Sequence, residues 1–226
     1  MERLQHYAKD KFHDLHDEYR RKVNRSGWEK VRAKYDRIIS DGDIVSSHSF
    51  RLPEVINAAQ DKDGKDYPYH LFVDNETGSA KFKLNTWESG VIEEEQSRED
   101  FVCWIRNPSR GSWGLTIPYE INGTIKPMYP DFIIVRKDDE EYLIDILEPH
   151  GSQYADSLNK AKGMAKYADN NPVISRIQMI REMSDPFGNK KYRRLDLSKS
   201  NVREKVLKAS DHDEFDSIFE KYGVYE

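Results

Sequence analysis

The sequence predicts an α/β domain built around one hairpin, and three observations carry that prediction. Two short apolar runs, FIIV at 132–135 and YLIDIL at 142–147, flank a charged turn, KDDEE, as in a hairpin whose strands are deeply buried. A helix-period segment at residues 154–169 follows, with Leu158, Ala161, Ala165 and Ala168 on its inner face and small residues that allow close approach to a sheet. A further apolar run, VISRIQMIREM, then reads as another buried strand, so a helix lies between two strands.

Composition sets the bounds. With 226 residues, 37% hydrophobic and 34% charged, the chain can build one substantial domain with an appended lobe, its apolar residues concentrated in a few segments. No apolar run approaches the length of a membrane span and no signal-peptide pattern opens the chain, so no membrane association is expected. A single cysteine, Cys103, excludes an internal disulfide and a cysteine-rich zinc site and fits a cytoplasmic setting. The seven histidines show no HExxH-type spacing. A net charge of −5 argues against gripping nucleic acid by bulk positive charge, but leaves room for a local basic groove.

Taken in order, residues 1–43 read as a helical lobe. Leu4, Ala8, Phe12, Leu15, Tyr19 and Val23 recur at helical steps, Ser26-Gly27 interrupts them, and Trp28, Val31, Tyr35 and Ile38 resume the pattern. Residues 44–86 read as a small β-rich connecting segment, and residues 87–226 as the main domain. Asn85 or Thr86 caps a helix expected from about Trp87 to Ile105, on which Val91, Val102, Ile105, Glu95 and Arg98 share a face. Glu95 there either pairs with Arg98 one turn on or reaches towards the hairpin's acids. A turn-rich loop with Arg106 and Arg110 leads into a strand at about 114–121, where Pro118 suggests an edge and Glu120 is a secondary acidic candidate. Beyond the second buried strand, GNKKYRR reads as a basic turn and residues 201–222 as one or two closing helices.

Two acids stand where packing does not explain them. Asp131 opens the first hairpin strand after Pro130, and Asp145 lies within the second between Ile144 and Ile146. A carboxylate in an apolar strand is costly unless it is paired, hydrogen-bonded or bound to a cation. Two such acids brought together across a hairpin would make an oxygen-rich site suited to Mg²⁺.

The order helix, three strands, helix, strand, with acids on the middle strands, resembles the PD-(D/E)xK nuclease superfamily. More narrowly, residues 84–197 look like the nuclease domain at the C-terminal end of bacterial DEAD/DEAH-box helicases related to the restriction subunit of type III restriction enzymes. The residues that carry this are LNTWE, WIRNPSR, IPYE, PMYPDFIIVR, IDILEPHG, ADSLNKAKGMAKYA and RIQMIR. The resemblance implies a restriction-endonuclease-like core, a mixed central sheet flanked by helices, joined here to the N-terminal helical lobe. It also implies hydrolysis of DNA with Mg²⁺ or Mn²⁺ in restriction or anti-phage defence, coupled to a helicase partner. Asp131 takes the place of the motif's first acid and Asp145 that of the second, with Glu95 a further metal ligand. The chain departs from the pattern at the motif lysine, because Leu147 stands two residues after Asp145. His150 and Lys162 are the favoured substitutes, ahead of Lys160. Glu148 is a third acid, on the face opposite Asp145 by strand alternation. Arg106, Arg110, Lys190, Lys191, Arg193 and Arg194 are expected to position the nucleic-acid backbone. The rival expectation, supported by the missing lysine, is a non-catalytic module of nuclease-like fold that binds DNA or docks a helicase. A ribonuclease or toxin is a third reading.

Overall fold

A computed structural model describes residues 11, 53–56, 61, 63–109, 113–151, 154–184 and 190–225. The chain divides into two compact units, Met1–Ser46 and Ser47–Glu226. The helical lobe expected over residues 1–43 lies outside the described residues apart from Lys11, which is helical.

The second unit is a mixed α/β structure with a central mixed sheet flanked by helices. A short pair, β1 (Lys65–Tyr67) and β2 (Ala80–Phe82), precedes helix α1 (Thr86–Gln96). Strand β3 (Phe101–Arg106) comes next. A separate ribbon, β4 (Ile117–Ile121) and β5 (Thr124–Met128), then leads to the hairpin of β6 (Phe132–Asp138) and β7 (Glu141–Pro149). Helix α2 (Ser157–Asn170) crosses to β8 (Arg176–Ser184), followed by β9 (Lys190–Asp196), α3 (Ser200–Lys208), α4 (His212–Tyr222) and β10 (Val224–Tyr225). The sheet order is β10-β9-β8-β7-β6-β3. Within it only β7 and β8 are parallel, as the intervening helix requires.

The hairpin forms where the apolar runs predict it, with Asp139 at φ 50° in the turn, a conformation that aspartate tolerates. Side chains alternate across it. Phe132, Ile134 and Leu147 join Val91 and Ile92 of α1, Trp104 and Ile180 in one core layer. Ile133 and Ile146 join α2, α3 and α4 in the larger layer on the other face. The ribbon lies close against α2: a Cβ at Gly163 would stand 2.7 Å from both the Pro118 carbonyl oxygen and the Tyr119 Cβ. A glycine is required there by approach rather than by backbone angle.

Two expectations need correction. The helix expected to run to Ile105 ends at Gln96, and FVCWIR is the edge strand β3. Its register shifts between Phe101 and Cys103, leaving Val102 exposed, so the alternation that marks a strand is broken by an irregularity. The segment read as a basic turn is β9, and Arg194 within it is 0% exposed.

That burial is sustained by an ion network on the α1 face. Asp145, also 0% exposed, accepts from Arg136 Nε at 2.5 Å and from Arg176 Nη2 at 2.7 Å. Glu95, 0% exposed as well, accepts from Arg194 Nη1 at 2.5 Å and from Arg176 Nη2 at 3.0 Å, and lies 3.3 Å from Arg98 Nε. Arg194 also donates to Glu94 and, at 3.2 Å, to Gln178 Oε1. Removing one charge from such a cluster leaves its partners buried and uncompensated. Asp145→Asn is therefore expected to lower stability by roughly 3–5 kcal/mol, read as a fall in the urea midpoint. An unchanged midpoint would show that the arginines find other partners.

Candidate functional site

The second acidic cluster lies on the other face of the hairpin. The β6–β7 ladder pairs Phe132 with Leu147, so one step outward Asp131 stands opposite Glu148, and the Asp131 N–H donates to Glu148 Oε2 at 3.2 Å. The structure does not bring Asp131 and Asp145 together. They sit on opposite faces, and Asp145 and Glu95 are committed to arginines. Glu148, whose alternation away from Asp145 the sequence shows, is the acid that faces Asp131.

The loop before β6 is held by Asn107, which donates from Nδ2 to the carbonyls of Leu115 (2.9 Å) and Pro130 (2.8 Å) and accepts from Leu115 N–H at 2.7 Å. Arg106, at the end of β3, places Nη1 3.1 Å from Asp131 Oδ1 and donates from Nη2 to Glu88 Oε1 at 2.8 Å. Its guanidinium carbon lies 4.9 Å from the Phe132 ring centroid. Glu88 is fixed in turn. Its other oxygen accepts from Asn85 N–H at 2.9 Å while the Asn85 side chain accepts from Glu88 N–H at 2.8 Å, the reciprocal cap of α1. Behind Arg106, the buried His70 ring accepts the Arg106 backbone N–H at Nε2 (2.9 Å), and its Nδ1 lies 2.7 Å from the Phe72 carbonyl oxygen and 3.1 Å from the Phe72 backbone nitrogen. Burial lowers the His70 pKa, in keeping with this neutral ring.

On the far side of Glu148 stand two cationic or titratable groups. His150 Nδ1 lies 3.4 Å from Glu148 Oε1, and Lys160 Nζ of α2 lies 3.6 Å from the same oxygen. Asp156 approaches both, 3.6 Å from His150 Nε2 and 3.9 Å from Lys160 Nζ, and accepts from the Tyr119 hydroxyl at 3.2 Å. The His150 ring packs 4.9 Å from that of Tyr154. Lys160, not Lys162, is thus the helix lysine with its ammonium at the acidic pair.

Of the other expected residues, Arg194 is in the buried network and cannot meet a phosphate. Arg193 donates from Nε to Gly223 O at 3.0 Å and also bonds the Glu220 carbonyl, which ties β9 to the chain's end. Lys191 is exposed on β9 and Lys190 opens that strand, while Arg110 lies outside the described residues. Glu120 is exposed on the ribbon. Glu88, Asp156, Tyr119 and His70 escaped the sequence reading. Only Glu88 left a signal, in the N-x-x-E capping pattern with Asn85. Among the described residues no three His, Cys, Asp or Glu side chains gather closely enough to hold a metal, and no helix is long and apolar enough to cross a membrane.

Burial, and then the neighbouring Glu148 carboxylate, raise the Asp131 pKa to about 7. The folded state therefore binds a proton that the unfolded chain releases near pH 3.8, and stability falls as pH rises from that value to about 7. Asp131→Asn is expected to melt higher than wild type at pH 8 in chelator, by roughly 1–2 kcal/mol, with the gain shrinking towards pH 4. A gain of equal size at both pH values would refute this origin.

Comparison with known proteins places the chain in sequence space. Residues 68–226 match the YagJ family. The chain is also 33% identical over 172 residues to Protein YagJ of Escherichia coli (strain K12), an alignment spanning 75% of this chain and 68% of that protein. No solved structure matches. On the extent of both matches, the chain belongs to the YagJ family.

Proposed function

We propose that the chain is a metal-dependent nuclease that hydrolyses phosphodiester bonds in DNA, with its acidic pair at Asp131 and Glu148. The observation that carries this reading is the facing of those two carboxylates across the hairpin, with Lys160 Nζ 3.6 Å and His150 Nδ1 3.4 Å from Glu148. Pro130-Asp131 with Glu148-Pro149-His150 resembles the PD-(D/E)xK pattern once Glu148 takes the second acid's place, and His150 then stands where the lysine belongs. The order α1, β3, β6, β7, α2, β8, with helices on both faces of a mixed sheet, supports a restriction-endonuclease-like core.

The donors fit Mg²⁺ or Mn²⁺. Two carboxylates offer hard oxygens, a count that leaves room for water and substrate phosphate, and the raised Asp131 pKa marks a pair that a cation would relieve. Asp131 and Glu148 would hold the ion, which supplies an activated water and neutralises charge developing on the phosphate. Lys160, beside Glu148, stabilises the phosphate's added negative charge. His150 holds or moves a proton at Nε2, which faces the Asp156 carboxylate at 3.6 Å. Arg106 orients the backbone phosphate, an interaction that salt weakens. A role in defence coupled to a helicase rests on the resemblance alone. The second reading, a DNA-binding or helicase-docking module without catalysis, is favoured by Arg106, whose guanidinium already serves as the cation between Glu88 and Asp131.

Cleavage of plasmid and single-stranded DNA with Mg²⁺ or Mn²⁺ tests the two. Wild type should cut, and Asp131→Asn, Glu148→Gln and Lys160→Met should each lose at least roughly 100-fold. A wild type that is inactive with both metals, yet binds DNA in a salt-sensitive way, would overturn catalysis by this chain and support the module.

A further inference from the structure

A cavity of about 480 Å³ opens beyond the end of β7, and its lining includes Trp87 and Gly151, the chain neighbours of Glu88 and His150. Its position follows from strand lengths. The β7–β8 ladder ends at Pro149 and Ile180, whereas β8 continues to Ser184, so one strand edge runs on past its partner. Ligands of open α/β sheets commonly sit at such carboxyl ends of parallel strands. Trp87 enters from the α1 face and Phe219 of α4 from the other.

The chemistry of the lining selects a ligand class. Two guanidiniums, Arg181 and Arg193, are outnumbered by the carboxylates of Glu182, Asp216 and Glu220, which disfavours a free anion. The same set offers both hydrogen-bond donors and acceptors, which suits the edge of a neutral heterocycle. Arg181 is only 9% exposed, and its guanidinium carbon stacks 4.2 Å from the Phe219 ring centroid. It donates one ion pair, Nη1 to Asp216 Oδ1 at 2.7 Å, while its Nε and Nη2 have no hydrogen-bond partner. The Trp87 indole Nε1 is likewise buried without one. All three nitrogens are enclosed by the protein, so the polar groups that a ligand would meet are the other lining side chains, Arg193, Glu182 and Glu220. The volume lies in the range of small-molecule sites.

We infer that this cavity takes one unstacked nucleobase of the strand being cut, so that the substrate is single-stranded or frayed beside the scissile phosphate. The inference rests on the nuclease reading for the identity of the ligand. An intact duplex keeps its bases stacked and offers none to the cavity. A single strand can swing one base out against Trp87 and the Arg181–Phe219 stack.

The test is binding of a labelled 12-nucleotide strand (about one site's length) in chelator, where metal-dependent cleavage is silent. It is compared with an abasic strand of equal length and charge, a blunt duplex and a mononucleotide. The abasic strand is expected to bind roughly 10-fold more weakly than the intact one, the duplex weakly, and the mononucleotide far more weakly than the strand. Arg181→Gln and Trp87→Ala should bring intact-strand binding down to the abasic value and leave abasic binding unchanged. Equal binding of intact and abasic strands by wild type would overturn the inference even if both variants fail to fold. A mononucleotide as tight as the strand would reassign the cavity to a free nucleotide. The outcomes separate the two claims. Discrimination against the abasic strand without any cleavage would sink the nuclease and keep the base site, whereas cleavage without discrimination would do the reverse.

Discussion

The alternation of side chains across the β6–β7 hairpin is the constraint on which the rest depends. Its ladder pairs Ile134 with Asp145 and Phe132 with Leu147, and those two pairings assign every acid of the hairpin to a face. Even-numbered residues of β6 meet α1, and with them go Arg136 and the buried carboxylate of Asp145. Odd-numbered residues meet α2, and with them goes Glu148, while Asp131, just before the strand, faces Glu148 and also reaches Arg106. A slip of one residue would exchange the faces on which the two clusters stand.

The two faces use charge in opposite ways. Towards α1, the carboxylates of Asp145 and Glu95 are fully buried and matched by guanidiniums at hydrogen-bond distance, so the network ties α1, β7, β8 and β9 together. Towards α2, Asp131 and Glu148 crowd one another, and the charges that balance them come from Arg106 on β3 and Lys160 on α2, at 3.1 and 3.6 Å. Burial, and then crowding of like charge, raise the Asp131 pKa, the condition under which a site gains from an added cation.

Much of the fold was legible because it rests on local patterns. FIIV and YLIDIL about a charged turn, the small-residue face of α2 and the apolar VISRIQMIREM each announce their element within a dozen residues. FVCWIR did not, because the irregularity at Val102 breaks the period of two and leaves Val91, Val102 and Ile105 in chance helical phase. KKYRR did not either, since the partner that lets Arg194 be buried is Glu95, far away in the sequence. The site was half legible. Asp131 and His150 stood out, and the alternation that separates Glu148 from Asp145 was visible. Which of the two faces Asp131 depends on register, and register is fixed by the whole ladder. Lys160 and Glu88 reach the pair through tertiary packing that no spacing reports.

The capping arrangement at the start of α1 has a consequence for how this protein can vary. One oxygen of Glu88 closes the helix's first turn and the other receives Arg106, so a single carboxylate is shared between secondary structure and the candidate site. Glutamine would retain an acceptor for the cap but weaken the hold on the arginine, and aspartate falls short of both. Position 88 therefore couples the capping of α1 to the placement of Arg106. A substitution there acts at once on folding and on the charge balance around Asp131.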